Sequence, residues 1–232
     1  MNDFLIEKRL NKENKELFNN YKNVLTVMNT TLDKIASVFG DYTNHSMRHC
    51  LNVLEFCDNM IGEENINKLN TDEIYILMCA SIMHDFGMTV SKEYLQKYQD
   101  EILPKDYLIN NPNNNIKDII RDNHHLISEH MILFYKDFFE FPSEKHAHCV
   151  ALISKGHRKV DLFNKEEYDP EYKLDNGNTV CLPYLASLIR LADELDIAYD
   201  RNQISEYFEH MQYIHWRKHL YIKHLNILED KF

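Results

Sequence analysis

Six side chains in this chain carry metal-binding chemistry in places where the surrounding sequence favours burial. His84 and Asp85 end the apolar run CASIM at residues 79–83, and His49 lies on the segment before it, one turn ahead of Val53. His124 follows Ile119, Ile120 and Arg121 and precedes Ser128 by four. His157 closes ALISKGH, and Asp193 sits in LIRLADELD, a stretch otherwise apolar on that side. An isolated carboxylate in an apolar interior costs several kcal/mol or more, so Asp193 requires a partner. Imidazoles and carboxylates converging from several helices are how helical bundles hold metal ions. The chain has 13 histidines, and any one of them alone is by default a surface or satisfied core residue. His130, His146, His148, His210, His215, His219 and His224 take that reading.

The elements that must position these groups are helical by period. Leu17, Tyr21, Leu25, Met28, Leu32, Ile35 and Phe39 recur at spacings of three and four, which predicts a helix over 13–39 ending at Gly40. A second helix fits 46–60, with Val53, Leu54, Cys57 and Met60 or Ile61 inward. Thr71 is a candidate cap for a third, with Asp72 and Glu73 in its first turn as the helix dipole prefers. That helix is apolar almost all round from Ile74 to Met83, which marks it as central, and Gly87 breaks its pattern. Ser91 caps a short polar helix that stops before Pro104, and NNPNNN at 110–115 reads as a loop. Helix resumes at Ile116 and runs, with a bend, to Phe139. Ser143 caps another through Lys155. Residues 161–180 read as loop, with DNGN a strong turn signal. LPYLASLIRLADELDIAYD is a helix with Pro183 near its first position, and LNIL near the end reads as a strand.

The totals narrow the classes. Only 5 glycines and 5 prolines disfavour sandwiches and barrels, which need many turns. The expected fold is therefore all-α, a helical bundle with a minor β element at the C-terminus. With 44% hydrophobic residues the chain can bury a core. A net charge of −11 repels phosphate backbones and anionic lipid, so duplex nucleic acid and membrane surfaces are disfavoured partners. A small anionic substrate stays compatible, because bound cations reverse the local field. Cys50, Cys57, Cys79, Cys149 and Cys181 have no CxxC spacing and read as reduced core thiols of a cytoplasmic protein. The N-terminus MNDFLIEKRLNKENK has no apolar signal segment. The run around Ile74–Met83 is about half of the ~20 residues that a membrane span needs.

The ordered pieces HSMRHCLNV, SIMHDFGM, RDNHHLIS, SKGHR and LASLIRLADELD, from residue 45 to 196, resemble the HD superfamily of metal-dependent phosphohydrolases. HDFGM, RDNHHLIS and LIRLADELDIAYDRN are most similar to HD domains at the N-terminus of longer bacterial proteins, some with a GHKL-type ATPase region downstream. On that resemblance the chain divides into an N-terminal helical extension at 1–40, an HD core at 41–202, and an appendage at 203–232 that is the expected start of a further region. Met88 stands where many HD enzymes have lysine. There is no GYP signature after His157, and the doublet lacks the Glu-Asp pair that follows it in alarmone hydrolases.

The resemblance implies that His49, His84, Asp85 and Asp193 hold one divalent ion, and that Asp85 bridges to a second held with His124 and His157. Imidazole-rich ligands suit Mn, Fe, Co, Ni or Zn better than Mg. Two ions about 3.5–4 Å apart can share an activated hydroxide and clamp phosphoryl oxygens. The implied catalytic residues are Asp85, His124 and Arg158. Arg158, Lys155, Arg121 and Arg190 are candidates for the equatorial oxygens, although each is as readily an exposed or helix-terminal cation. His124 and His125 are adjacent, and the family's arginine three before and serine four after select His124. His45 competes with His49 and is a candidate substrate contact at the cleft mouth. Asp196 either orients a ligating histidine from behind or is a solvated helix residue. The expected activity is hydrolysis of a phosphomonoester or phosphodiester in a nucleotide-like substrate. The alternatives are a single-strand nuclease and a non-catalytic nucleotide-sensing module. A homo-oligomer is a further expected partner arrangement.

Overall fold

A computed structural model describes residues 4–32 and 47–196. Over these the protein is all-α with one tiny antiparallel ribbon. The helices are α1 (Leu5–Glu13), α2 (Lys15–Leu32), α3 (Met47–Asn65), α4 (Thr71–Met83), α5 (Lys92–Ile102), α6 (Tyr107–Asn110), α7 (Ile116–Phe134), α8 (Glu144–Lys155) and α9 (Leu182–Leu195). Strands β1 (Tyr172–Lys173) and β2 (Thr179–Val180) pair Tyr172 with Val180 and Lys173 with Thr179.

Helix α4 is the axis of the bundle. Every residue from Ile74 to Met83 is buried, and α2, α3, α8 and α9 pack around it. It therefore has no polar face to solvate, which is why its sequence lacks amphipathic spacing. Its N-cap is Asn70, one residue before the expected Thr71. The Asn70 side chain accepts from the Glu73 N–H, and Glu73 accepts from the Asn70 N–H, both at 3.0 Å. This reciprocal box satisfies two donors that the helix cannot satisfy itself. The buried first-turn Asp72 is answered by His146 at 2.7 Å and by Asn178 at 2.6 Å. His146 thus serves a structural pair that ties α8 and the ribbon to the start of α4.

Helix α1 lies within the helical extension expected at 1–40 but precedes the start at residue 13 that the spacing predicts. Its own cap position, Phe4, offers no side-chain acceptor. Instead Asp58 of α3 accepts from the Leu5 and Ile6 N–H groups, each at 2.9 Å. Helix α7 ends at Phe134 rather than Phe139. The apolar residues continue because the turns after α7 fold over the 3-10 turn Phe86–Thr89, where Phe139 meets Phe86 at a ring distance of 5.8 Å. The caps Ser91 and Ser143 are as expected, accepting from the Tyr94 and His146 N–H groups. The turn read from DNGN closes the ribbon, with Gly177 at φ 86°. Residues 33–40, with Ile35, Phe39 and Gly40, and the LNIL segment lie outside the described residues, as do His45 and the four C-terminal histidines. All five cysteines are free, and all but Cys181 are buried. No single helix among the described residues is long and apolar enough to cross a membrane.

Candidate metal centre

The end of α4 is where the functional groups meet. His84 is the C-cap of that helix, and Asp85 opens the 3-10 turn Phe86–Thr89. Helix α7 crosses this turn at close range. A Cβ on Gly87 would lie 2.2 Å from the His124 carbonyl oxygen and 2.8 Å from the Ser128 nitrogen. Only glycine permits this approach. Ser128 locks it: its hydroxyl donates to the His84 carbonyl at 2.7 Å and accepts from the Gly87 N–H at 2.8 Å. The serine four residues past His124 thus ties the His84 turn to the helix that carries His124.

Asp85 lies between two pairs of imidazoles. Its Oδ2 is 3.3 Å from His49 Nε2 and 3.2 Å from His84 Nε2. Its Oδ1 is 3.3 Å from His124 Nε2 and 3.9 Å from His157 Nε2. The candidate ligand atoms of His49, His84 and Asp85 all lie within 4.8 Å of one another, and so do those of Asp85, His124 and His157. Asp193 of α9 reaches the first set, with Oδ1 3.2 Å from His49 Nε2 and 3.9 Å from His84 Nε2. All these histidines and Asp85 are buried, whereas Asp193 is partly open.

Each imidazole is oriented from behind. His84 Nδ1 donates to the Ser81 carbonyl at 2.9 Å, His124 Nδ1 to Arg121 at 2.7 Å, and His157 Nδ1 to Ser154 at 2.5 Å. In each case the acceptor is the carbonyl three residues back. His49 Nδ1 instead donates to Asp196 Oδ2 at 2.5 Å, and Asn52 steadies the other oxygen of Asp196 at 3.1 Å. Asp196 is therefore the orienting partner of His49. A ring that donates through Nδ1 presents a lone pair at Nε2 when neutral.

The donor set fits divalent cations. His124 Nε2 and His157 Nε2 are 3.0 Å apart, and His49 Nε2 and His84 Nε2 are 3.1 Å apart. Burial above all pushes the pKa of His124 well below 6.5; Asp85 opposes, and His157 and Arg158 add to the fall. Burial, then the neighbouring His84, lowers His157 to about 4. Two neutral rings thus aim lone pairs at one point, an arrangement that repels unless a cation lies between them. Ligand nitrogens on one ion, at bonds of about 2.0–2.1 Å, fall roughly 3.0–3.4 Å apart. Around His49 three carboxylates gather, those of Asp85, Asp193 and Asp196. Burial acts to raise the Asp193 carboxyl, but the His49 contact and the nearby His84 outweigh it and hold that carboxyl far below the usual range.

The other expected residues are placed less centrally. Arg158 Nη1 donates to the Arg121 carbonyl at 3.1 Å and lies 3.3 Å from His124 Nδ1, on the back of that ring. Lys155 is engaged by Glu129 at 3.0 Å and Glu167 at 2.6 Å. Arg190 donates to the Gly156, Val160 and Arg158 carbonyls at 2.9, 3.0 and 3.4 Å. Arg121 contributes its carbonyl to two of these contacts. His125 points elsewhere than His124, and its buried Nδ1 has no hydrogen-bond partner among the described residues. His130 bonds the Tyr94 hydroxyl at 3.0 Å, and His148 packs on Tyr172. The role of Ser128 was not anticipated, although its spacing from His124 was the visible signal.

Residues 39–231 match the family described as HD-CE. No curated protein and no solved structure matches the chain.

Proposed function

Because the chain belongs to the HD-CE family, we propose that it is a metal-dependent phosphohydrolase that cleaves a phosphomonoester or phosphodiester bond in a small nucleotide-like substrate. The observation that carries this reading is Asp85, whose two oxygens face two separate imidazole pairs. His49, His84, Asp85 and Asp193 would hold one divalent ion, and Asp85, His124 and His157 a second. When bound, such ions supply a nucleophile at neutral pH and neutralise charge on phosphoryl oxygens.

The chain's own residues do the rest. The Ser81, Arg121, Ser154 and Asp196 acceptors hold the four imidazoles in one tautomer, so each Nε2 keeps its lone pair for a cation. The buried stem of α4 keeps His84 and Asp85 from rotating away. Arg158 bonds the Arg121 carbonyl on the back of the His124 ring, so in this reading it steadies His124 and would have to leave that carbonyl to meet a phosphoryl oxygen. The carboxylates leave the site negative without cations, and the whole chain carries −11. Binding of an anionic substrate therefore depends on the ions, and a long polyanion meets repulsion outside the site. This supports a nucleotide over extended nucleic acid.

The test is a matrix of Mn, Fe, Co, Ni, Zn and Mg against nucleoside phosphates, cyclic nucleotides, dinucleotides and short single strands. Metal-dependent release of phosphate or nucleoside monophosphate is the expected result. Cleavage confined to single strands would convert the assignment to a nuclease. Tight nucleotide binding with no turnover under any metal would make it a sensing module and overturn the enzyme assignment.

A further inference from the structure

We propose that Arg190 is a positioning residue for the His124–His157 half of the centre, and that it acts by locking the loop that leaves His157. This rests on the proposed function for the purpose of the second cluster, but not for the geometry of the lock. The loop 156–160 starts hard against α9: a Cβ on Gly156 would lie 2.6 Å from the Ala186 Cβ. Arg190, one turn beyond Ala186 on α9, reaches under the loop from that contact. Its Nε donates to the Gly156 carbonyl, and its Nη2 donates to the carbonyls of Arg158 and Val160. One guanidinium therefore takes up the carbonyls on both sides of Lys159.

Lys159 is the strained point that this grip encloses. Its φ is 27°, in the left-handed region that a lysine rarely adopts, and the Val160 N–H turns back onto the Arg158 carbonyl at 2.6 Å. Such a conformation persists only where its surroundings over-determine it. The kink turns the chain so that Arg158 reaches across to the Arg121 carbonyl on α7. That carbonyl also orients His124. The path from Arg190 thus runs through the Lys159 kink to Arg158 and ends at the acceptor of His124, with His157 at the root of the loop. Arg190 and Asp193 stand one turn apart on α9, so a single helix supplies a candidate ligand to one half of the centre and fixes the other half from behind. The fork geometry matters more than the charge. Lysine keeps the charge but cannot present planar, divergent donors to three carbonyls.

The experiment compares wild type, Arg190→Lys and Arg190→Ala by two readouts. One is stepwise Mn and Zn affinity by calorimetry. The other is trypsin cleavage at Lys159 in metal-free protein, with thermal melting as the folding control. The expected result for Arg190→Lys is near-native melting, an unchanged first binding step, at least 10-fold weaker binding in the second step, and several-fold faster cleavage at Lys159. Millimolar guanidinium should restore the second step in Arg190→Ala, and ammonium should not. Unchanged second-step affinity and cleavage in Arg190→Lys would overturn the inference while leaving the proposed function intact. Equal weakening of both steps with a lowered melting point would also overturn it, as a purely structural role. A wild type with no second step would count against the two-ion function, and cleavage at Lys159 would then decide on the lock by itself.

Discussion

Replacing Gly87 with alanine tests the architecture of the centre without touching a candidate ligand. The new methyl would stand 2.2 Å from the His124 carbonyl oxygen, 2.8 Å from the Ser128 nitrogen and 2.9 Å from the Ile127 Cβ. Two of these are backbone atoms of α7, so no rotamer change relieves them. Non-bonded heavy atoms settle at about 3.5 Å, so α7 must retreat by roughly 1 Å or the 3-10 turn must move. Overpacking of this kind costs about 1–3 kcal/mol, and with rigid backbone on both sides the cost should lie near 3 kcal/mol. The same retreat lengthens both Ser128 bonds, to the Gly87 N–H and the His84 carbonyl, and withdraws His124 from Asp85. A misplacement of about 1 Å at reacting groups costs on the order of 100-fold in rate. Urea unfolding of the metal-free protein reads the first effect, and metal-dependent turnover beside a calorimetric metal titration reads the second. Loss of less than about 0.5 kcal/mol with two unchanged binding steps would refute the claim that the close crossing of α7 builds the site.

Two further outcomes follow from the same geometry. Asp196→Asn keeps the size of the side chain that accepts from His49 Nδ1 at 2.5 Å but removes its charge, and should weaken the first ion step by about 10–100-fold. Calorimetry showing that step unchanged would reduce Asp196 to a packing residue. Metal-free stability should be level above pH 6.5 and should fall as pH drops from there toward 4. In that window the unfolded chain takes up a proton that folded His157, with its pKa lowered to about 4, refuses. For His157 alone the loss is roughly 3 kcal/mol at the acid end of the window. His125, lowered to about 3 chiefly by burial, adds in the same direction. Urea midpoints from pH 7.5 to 4.5 check this, and a flat profile between 6.5 and 4.5 would contradict the assignment of neutral, buried imidazoles.

The candidate ligands were legible because ligation needs side chains of fixed type at the ends and faces of helices, and both type and period are written in sequence. His84 and Asp85 stand out at the end of a nearly all-apolar run, and Asp193 stands out on an apolar face. The atoms that aim those ligands were mostly illegible, since Ser81, Arg121 and Ser154 act through carbonyls that any residue would supply. Arg190 looked like a phosphate contact because its charge is visible and its distance to three loop carbonyls is not. Helix α1, within the helical extension expected at 1–40, has no visible start signal for a similar reason, as its capping acceptor is Asp58, more than fifty positions away along the chain. Phe139 drew the α7 expectation too far because a buried turn over Phe86 needs aromatic residues as much as a helix face does. The Thr71 expectation erred by one residue, since Asn70 is also a good cap and Glu73 selects it through the reciprocal bond.

The central claim is that Asp85 joins two cation sites, and the direct measurement is the number of ions per chain, by native mass spectrometry with elemental analysis, in wild type, His157→Ala and Asp85→Ala. Two divalent ions on wild type, one on His157→Ala and none on folded Asp85→Ala are the predicted counts. An Asp85→Ala protein that still holds two ions, or a wild type that holds none under any of the metals, would contradict it.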